Sequence, residues 1–96
     1  MYAISEYVPL DKAAGEAYNK AAIPVVQQAG GRPSGVGVSE KIIARVGEAP
    51  KGVTLVEFNS LEQAEAFYKS PALTNLQSQS DKARKVTRSY IVQTAQ

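Results

Sequence analysis

The chain has 96 residues, of which 44% are hydrophobic and 21% are charged, the composition of one ordinary globular domain spanning residues 1–96. Eleven Lys and Arg against nine Asp and Glu give a formal net charge of +2, too small to indicate nucleic acid or an anionic membrane as a partner. The sequence contains neither Cys nor His, which excludes disulfides, thiolate nucleophiles and the commonest ligands of transition metals. We therefore expect no metal site and no cofactor.

The start of the sequence shows neither a basic segment nor an apolar run of signal-peptide length. No stretch of the chain has the apolar length that spans a bilayer. The expected location is the cytoplasm.

A two-residue alternation predicts a first strand over residues 2–8, ended by Pro9. Asp11 is a suitable N-cap for a helix over residues 12–29, whose apolar residues recur at helical spacing. Pro24 lies inside this helix and predicts a kink or a break near Ala22 and Ile23, because proline removes a hydrogen bond and clashes with the preceding turn. The glycine pair at residues 30–31 then provides the left-handed end of the helix.

The middle of the chain has a less regular pattern. Residues 35–38 indicate a weak strand, followed by a turn at residues 39–40. Residues 41–46 are predicted to continue that strand or to pair with it as a hairpin. Residues 47–52 have the composition of a turn.

Residues 53–58 are largely apolar, as expected of a central strand covered on both faces. Ser60 and Gln63 form a capping box for the helix that follows, whose apolar stripe includes Phe67 and Tyr68. Ser70 caps a further helical turn that starts at Pro71. The polar residues 77–80 are predicted to end this helical region.

Residues 85–93 alternate again and predict the last strand, with Val86, Arg88, Tyr90 and Val92 on one face. The element order is therefore strand, helix, strand, an optional further strand over residues 41–46, strand, helix and strand. Right-handed crossovers then give an α+β fold of the ferredoxin-like, split βαβ type, with both helices on one face of an antiparallel sheet. The other face is left uncovered and carries apolar side chains, which favours a two-fold homodimer that places sheet against sheet.

One part of the sequence resembles a known family. It consists of residues Glu57-Phe58-Asn59-Ser60-Leu61-Glu62, then Ala64, Phe67-Tyr68 and Ser70-Pro71, with Gly30-Gly31-Arg32 upstream after a helix that contains Tyr18. This pattern is similar to that of the domain-of-unknown-function family numbered thirteen-thirty, and the resemblance covers most of the chain in the expected order. The chain departs from the family at Pro33-Ser34-Gly35 and at Ala49-Pro50-Lys51, where the family usually has an arginine-glycine turn and a tryptophan.

The resemblance implies the dimeric α/β-barrel superfamily, in which two such domains face their sheets together. That superfamily includes small cofactor-free monooxygenases, isomerases and decarboxylases, whereas the family itself has no established activity. Fold likeness alone does not specify a reaction.

Glu57 is the candidate catalytic residue. It stands in an otherwise apolar strand on the side of Val53 and Leu55, and an ionised carboxylate is costly to bury without a partner. One interpretation is a carboxylate of raised pKa that lines a cleft and moves a proton. The alternative is a structural ion pair with Arg88, Arg32 or a lysine, or a position at the open end of the strand.

The candidate ligand-binding residues follow that strand or lie on the last one. They are Asn59, Ser60, Tyr68, Ser70, Arg88 and Tyr90. Free amides beside Asn59 and Ser60, at a helix N-terminus, suit an anionic group. Each residue also has a structural interpretation as a turn, a cap, a core side chain or a dimer contact, and the same holds for Tyr2, Glu6 and Tyr7 on the first strand.

The leading hypothesis is a cytoplasmic homodimer that binds a small organic ligand, carboxylate-bearing, between the sheet and its helices. If the chain is an enzyme, the expected chemistry is cofactor-independent proton transfer or oxygenation with Glu57 and a tyrosine as participants. The alternative is a non-catalytic dimerisation or binding module. An RNA-binding domain of the same topology would need a basic, aromatic strand for base stacking, which this sequence lacks.

Overall fold

The computed structural model describes residues 1–38 and 42–93 and, for residues 34–38, the backbone alone. The described residues form four strands and four helices. In chain order they are β1 (Tyr2–Pro9), α1 (Lys12–Gln28), β2 (Arg32–Val38), β3 (Gly52–Glu57), α2 (Leu61–Lys69), α3 (Pro71–Thr74), α4 (Gln77–Ala83) and β4 (Arg84–Val92). Among these residues, no helix has both the length and the apolar character needed to cross a bilayer.

The strands form one open sheet in the order β2-β3-β1-β4, and every neighbouring pair is antiparallel. Strand β1 lies in the middle, with Tyr2 opposite Glu57 of β3 on one side and opposite Val92 of β4 on the other. The predicted α+β class is confirmed.

The core lies on one face of this sheet. Ala3 and Val56 are cross-strand neighbours and pack with Val26 of α1 and with Ala64 and Phe67 of α2. Phe58, which follows β3, is the largest fully buried side chain and joins the same cluster. Helices α1 and α2 therefore pack on the face that carries Ala3 and Val56.

The opposite face is called the open face below. Strand alternation places on it Tyr2, Ile4 and Glu6 of β1, Val53, Leu55 and Glu57 of β3, and Arg88, Tyr90 and Val92 of β4, with Arg32 of β2 beside Glu57. Apart from Glu6, these side chains stay partly or largely exposed.

The predicted helix ends are confirmed by their hydrogen bonds. The Asp11 carboxylate accepts from the Ala14 amide at 3.0 Å and begins α1. At the other end Gly30 has a φ of 85°, and the Gly31 amide donates to the Val26 carbonyl at 2.9 Å. This six-residue bond around a left-handed glycine is the Schellman ending.

The predicted break near Ala22 and Ile23 is wrong, because α1 runs through Pro24 from Lys12 to Gln28; the alternative, a kink, stays a prediction. Pro24 cannot donate to the carbonyl of Lys20, but both residues are exposed, so water can satisfy the freed carbonyl. Packing of Tyr18 and Val26 on either side of Pro24 holds the helix together.

The predicted strand at residues 41–46 is also wrong, since residues 42–46 form no strand. Ile43 and Val46 are 89% and 94% exposed, so two of the apolar residues that indicated a strand contribute little to the packing of the described residues. Residues 39–41, which include the predicted turn, lie outside the described residues.

Helix α4 occupies the polar segment that was predicted to end the helical region. Ser80 and Ala83 are buried on its inner side, beside α1, and the Gln77 amide donates to the Asp81 carboxylate at 2.8 Å. Tertiary contact therefore overrides the low hydrophobicity of this stretch.

A β-bulge alters the alternation of β4. Glu6 is paired with Arg88 but Tyr7 is paired with Val86, so Thr87 is the extra residue. Val86 consequently turns to the helix side of the sheet, where it lines the same cavity as Ser89. The predicted face of Val86, Arg88, Tyr90 and Val92 is thus wrong for Val86, because the bulge shifts the alternation by one residue.

Candidate functional site

A cavity of about 370 Å³ lies between the helix side of the sheet and the helices. Its floor is formed by Ala3, Ser5, Thr54, Val56, Val86 and Ser89, and its walls include Tyr18, Ala22 and Val26 of α1 and Phe67, Tyr68 and Leu73 from the α2–α3 region. The exposed side chains of Ile23 and Tyr68 stand at its rim. A concave, mostly apolar space with a few polar groups is the usual form of a small-molecule site.

Arg84 is the charged residue of this cavity. It begins β4 directly after α4, and its guanidinium donates from Nη1 to the Thr54 hydroxyl at 3.1 Å and from Nη2 to the Tyr18 hydroxyl at 3.3 Å. Both acceptors also line the cavity. The two bonds therefore fix the guanidinium at the cavity wall through β3 and α1.

Two aromatic rings hold the same guanidinium. Its Cζ lies 5.0 Å from the ring centroid of Tyr7 and 4.8 Å from that of Tyr18, both within cation–π range. Gly52 makes room for the Tyr7 ring, because a Cβ at that position would come within 2.5 Å of two ring carbons. The glycine that begins β3 thus helps to position a tyrosine of β1 over an arginine of β4.

No carboxylate of the described residues forms an ion pair with Arg84. Its Nε is shielded from solvent and has no hydrogen-bond partner among those residues. A second, mostly polar cleft of about 380 Å³ shares Arg84 and also contains Asp81, but the Asp81 carboxylate accepts from Gln77. A guanidinium carries a full positive charge in proteins. The charge of Arg84 is therefore not balanced by a carboxylate of the described residues.

Two carboxylate clusters occupy the open face instead. In the first, Glu6 is only 8% exposed although it lies on an uncovered sheet. Its Oε1 accepts from Arg88 Nε at 3.1 Å and from Nη2 at 2.7 Å, and its Oε2 accepts from the Tyr90 hydroxyl at 2.7 Å. Hydrogen bonds from Tyr90 and then Arg88 lower the pKa of Glu6, and the bond to Glu6 raises the pKa of Tyr90.

Glu57 forms the second cluster. Its Oε1 accepts from Arg32 Nε at 3.0 Å, and Arg32 Nη2 also donates to the Asn59 amide oxygen at 3.0 Å. Hydrogen bonding from Arg32 and then Tyr2 lowers the pKa of Glu57. The ion pair with Arg32, one of the structural alternatives, is confirmed, and the lowered pKa of Glu57 contradicts the other interpretation, in which that pKa is raised.

The structure does not bring the predicted site residues together in one place. Tyr68 is the one that lines the cavity. Glu57, Asn59, Arg88 and Tyr90 belong to the two clusters described above.

Ser60 and Ser70 act as helix caps. The Ser60 hydroxyl accepts from the backbone N–H of Gln63 at 3.1 Å. The side-chain oxygen of Gln63 in return accepts from the backbone N–H of Asn59 at 2.9 Å. The Ser70 hydroxyl donates to the Phe67 carbonyl and accepts from the Leu73 amide. A ligand-binding role for these residues, and a catalytic role for Glu57, stay predictions.

Sequence reasoning missed Arg84 and its contacts with Tyr7, Tyr18 and Thr54. Arg84 lies in a run with Lys82 and Lys85, and such a run is typical of charged side chains exposed to solvent. Its position depends on the start of β4 and on packing against α1, for which the local sequence has no signal. An available signal was Gly52 at the start of a strand, since glycine in a strand often marks the close approach of another group.

Comparison with known proteins gives one family. The model of the family described as Domain of unknown function (DUF1330) matches residues 1–95. No curated protein matches the chain.

Proposed function

The chain belongs to the DUF1330 family, and we propose that it is a homodimeric binding protein that holds a small organic molecule in the cavity between its sheet and its helices. The observation that carries this proposal is the cavity itself. A volume of about 370 Å³ is at the small end of the range for ligand sites.

The lining favours a mostly apolar ligand with one polar end. Val26, Val56 and Phe67 surround one part of the cavity, while Arg84 with its tyrosine and threonine partners forms another part. An apolar body is stabilised by leaving water, and a polar end needs a partner when it is buried. The proposal includes no proton transfer by Glu57, because that residue is absent from the described lining and lies on the opposite face of the sheet.

We propose that two copies of the chain pair through the open face. The strand order β2-β3-β1-β4, with the helices on one side, supports the proposed ferredoxin-like arrangement of two βαβ units, in which one sheet face is left to be covered. Ile4, Leu55 and Val92 provide apolar surface there. Glu6–Arg88 and Glu57–Arg32 are each internally neutral, so a second copy would meet no excess of like charge.

The cavity can be tested with a neutral fluorescent probe, N-phenylnaphthylamine, whose emission rises in apolar surroundings. Ala22→Phe places a ring from α1 in the cavity, whereas Ala13→Phe adds the same ring to an exposed position of α1 and is the control. We expect the wild type and Ala13→Phe to bind the probe and Ala22→Phe to lose most of that binding. A folded Ala22→Phe protein with wild-type binding would show that the probe binds elsewhere and would contradict the proposal.

A second measurement needs no chosen probe. Native mass spectrometry of the wild-type protein as purified, compared with Ala22→Phe, should show an added small mass on the wild type that is missing from the variant. An added mass of equal occupancy on both proteins would place the bound molecule outside the cavity.

A further inference from the structure

Arg84 is a charged group that the fold holds in place without neutralising it. A guanidinium has five N–H donors, and Arg84 uses two of them, toward Thr54 and Tyr18. Three donors are therefore left without a partner among the described residues, and one of them, Nε–H, is shielded from water. Because Nε is shielded, the donors that a ligand in the cavity can reach are the remaining N–H groups of Nη1 and Nη2.

Arg84 differs in this respect from Arg32 and Arg88, which are both paired with carboxylates. Arg32 and Arg88 each have a carboxylate of this chain within 3 Å, although their side chains are 52% and 69% exposed. Arg84 is less exposed than either and has two tyrosine rings around it in place of a carboxylate. Rings stabilise a cation but leave its hydrogen-bond donors available.

We infer that Arg84 is the anion-binding residue of the cavity and that the ligand is an organic monocarboxylate with an apolar body. The inference rests on the proposed function and names the ligand class for the same cavity. Arg84 is the one charged residue among the described residues that line the cavity, so it balances one negative charge. A second charge on the ligand, or a phosphate dianion, would be left against Val, Ile, Leu and Phe side chains at a high desolvation cost. A carboxylate presents two coplanar oxygens that match the guanidinium edge.

The ligand orientation follows from the same contacts. The carboxylate lies beside Arg84, near Tyr18 and Thr54, and the apolar body extends along the sheet toward Val56 and Phe67. The serine pair Ser5 and Ser89, whose hydroxyls are 3.4 Å apart, lies on the floor of the cavity. It provides hydrogen-bonding capacity for one further polar atom of the ligand.

Isothermal titration calorimetry with matched acids and alcohols tests the inference. The pairs are octanoate with octanol and phenylbutyrate with phenylbutanol, so that only the charged end differs within each pair. A hydrogen bond to a charged group predicts that the wild type binds at least one acid about tenfold or more tightly than its alcohol. The variant Arg84→Met should bind acid and alcohol alike, and Arg45→Met, which removes the same charge from an exposed loop position, should keep the preference.

The outcomes separate this inference from the proposed function. If the alcohols bind as well as the acids, or if folded Arg84→Met keeps the preference, Arg84 is not the anion-binding residue while the cavity remains a ligand site. If neither acids nor alcohols bind, and the neutral fluorescent probe does not bind either, both proposals are wrong.

Should Arg84→Met fail to fold, two measurements still decide the matter. Arg84→Lys keeps the charge but loses the planar donor edge, so the acid preference should fall several-fold, and an unchanged preference would contradict the inference. In the wild type, added octanoate should shift the ¹⁵N-resolved Nε–H signal of Arg84 and not that of Arg45, whereas equal or absent shifts under saturating octanoate would overturn it.

Discussion

Glu6 shows how a carboxylate on an uncovered sheet face can still be shielded. Arg88 and Tyr90 cover it and supply three hydrogen bonds. Its lowered pKa means that its contribution to stability is fully present above the ordinary carboxyl pKa and is lost as the pH falls through the lowered value. The raised pKa of Tyr90 affects stability at alkaline pH. The contribution of Tyr90 to stability is present below the ordinary phenol pKa and is lost as the pH rises through the raised value.

We therefore predict that Glu6→Gln lowers the urea midpoint of unfolding most strongly near neutral pH. The difference from the wild type should shrink as the pH falls below the ordinary carboxyl range, because protonated Glu6 also loses its charged hydrogen bonds. Urea titrations across the acid range measure this, with Glu16→Gln at an exposed position of α1 as the control. A difference that is constant with pH would rule out a charge-dependent role for Glu6.

Gly52 affects the cavity because it leaves room for the Tyr7 ring beside Arg84. A Cβ there would overlap the Tyr7 ring, so Gly52→Ala should push that ring away from Arg84. Overpacking of this kind costs about 1–3 kcal/mol, and we expect that loss in the free energy of unfolding together with a weaker acid preference in the calorimetric test.

The matched control for Gly52→Ala is Gly15→Ala. A Cβ at Gly15 meets no atom within 4 Å, and Gly15 lies inside α1. Alanine should stabilise the helix there by about 0.5–1 kcal/mol. Equal effects of the two substitutions on chemical unfolding would show that Tyr7 does not depend on Gly52 for its position.

At the scale of elements, α1 forms although Pro24 lies in its interior, because the packing of its buried residues stabilises the helix. Pro24→Ala restores an amide to the exposed side of the helix and removes the ring from the preceding turn. We predict a gain of about 1–3 kcal/mol in the free energy of unfolding, since proline in a helix interior costs roughly 3 kcal/mol relative to alanine and its restriction of the unfolded chain offsets part of that. Thermal and urea unfolding measure the gain, and Gln28→Ala in the last turn should change stability little. A loss of stability in Pro24→Ala would mean that the ring makes a favourable contact.

Where local chemistry decides an element, the sequence predicted it correctly. Ser60 with Gln63, Ser70 with Pro71, and the glycine after α1 each satisfy hydrogen bonds within a few residues of chain. Strand alternation likewise predicted the shared face of Val53, Leu55 and Glu57 in β3, because the side-chain period of two depends on the backbone alone.

Where distant contacts decide, the sequence could not predict the outcome. Helix α4 is polar and forms because Ser80 and Ala83 pack beside α1. The bulge at Thr87 reverses the direction of Val86, and no residue type marks it in advance. The candidate site depends on both features, since Arg84 lies between α4 and that bulge, and its partners are 30 and 66 residues away in the chain.

The whole molecule is a slab of 34 × 32 × 17 Å, with one layer of helices on one sheet. Such a body has one broad sheet face without a second layer, and the apolar side chains on it gain stability when they leave water. A stable homodimer usually buries about 800 Å² or more from each partner, and a broad open face is the surface of this slab from which that area can come.

We predict that the wild type sediments as a dimer at micromolar concentration and that Leu55→Asp sediments as a monomer. Leu55 lies in the middle of the open face, opposite Ile4, so a carboxylate there would be buried without a partner in the dimer. Ala66→Asp on the exposed side of α2 adds the same charge away from that face and should leave the dimer intact. Because the cavity is on the helix side of the sheet, the Leu55→Asp monomer should still bind the neutral fluorescent probe. A monomeric wild type, or a Leu55→Asp protein that stays dimeric, would contradict pairing through the open face, and loss of probe binding in the monomer would show that the cavity needs the second copy.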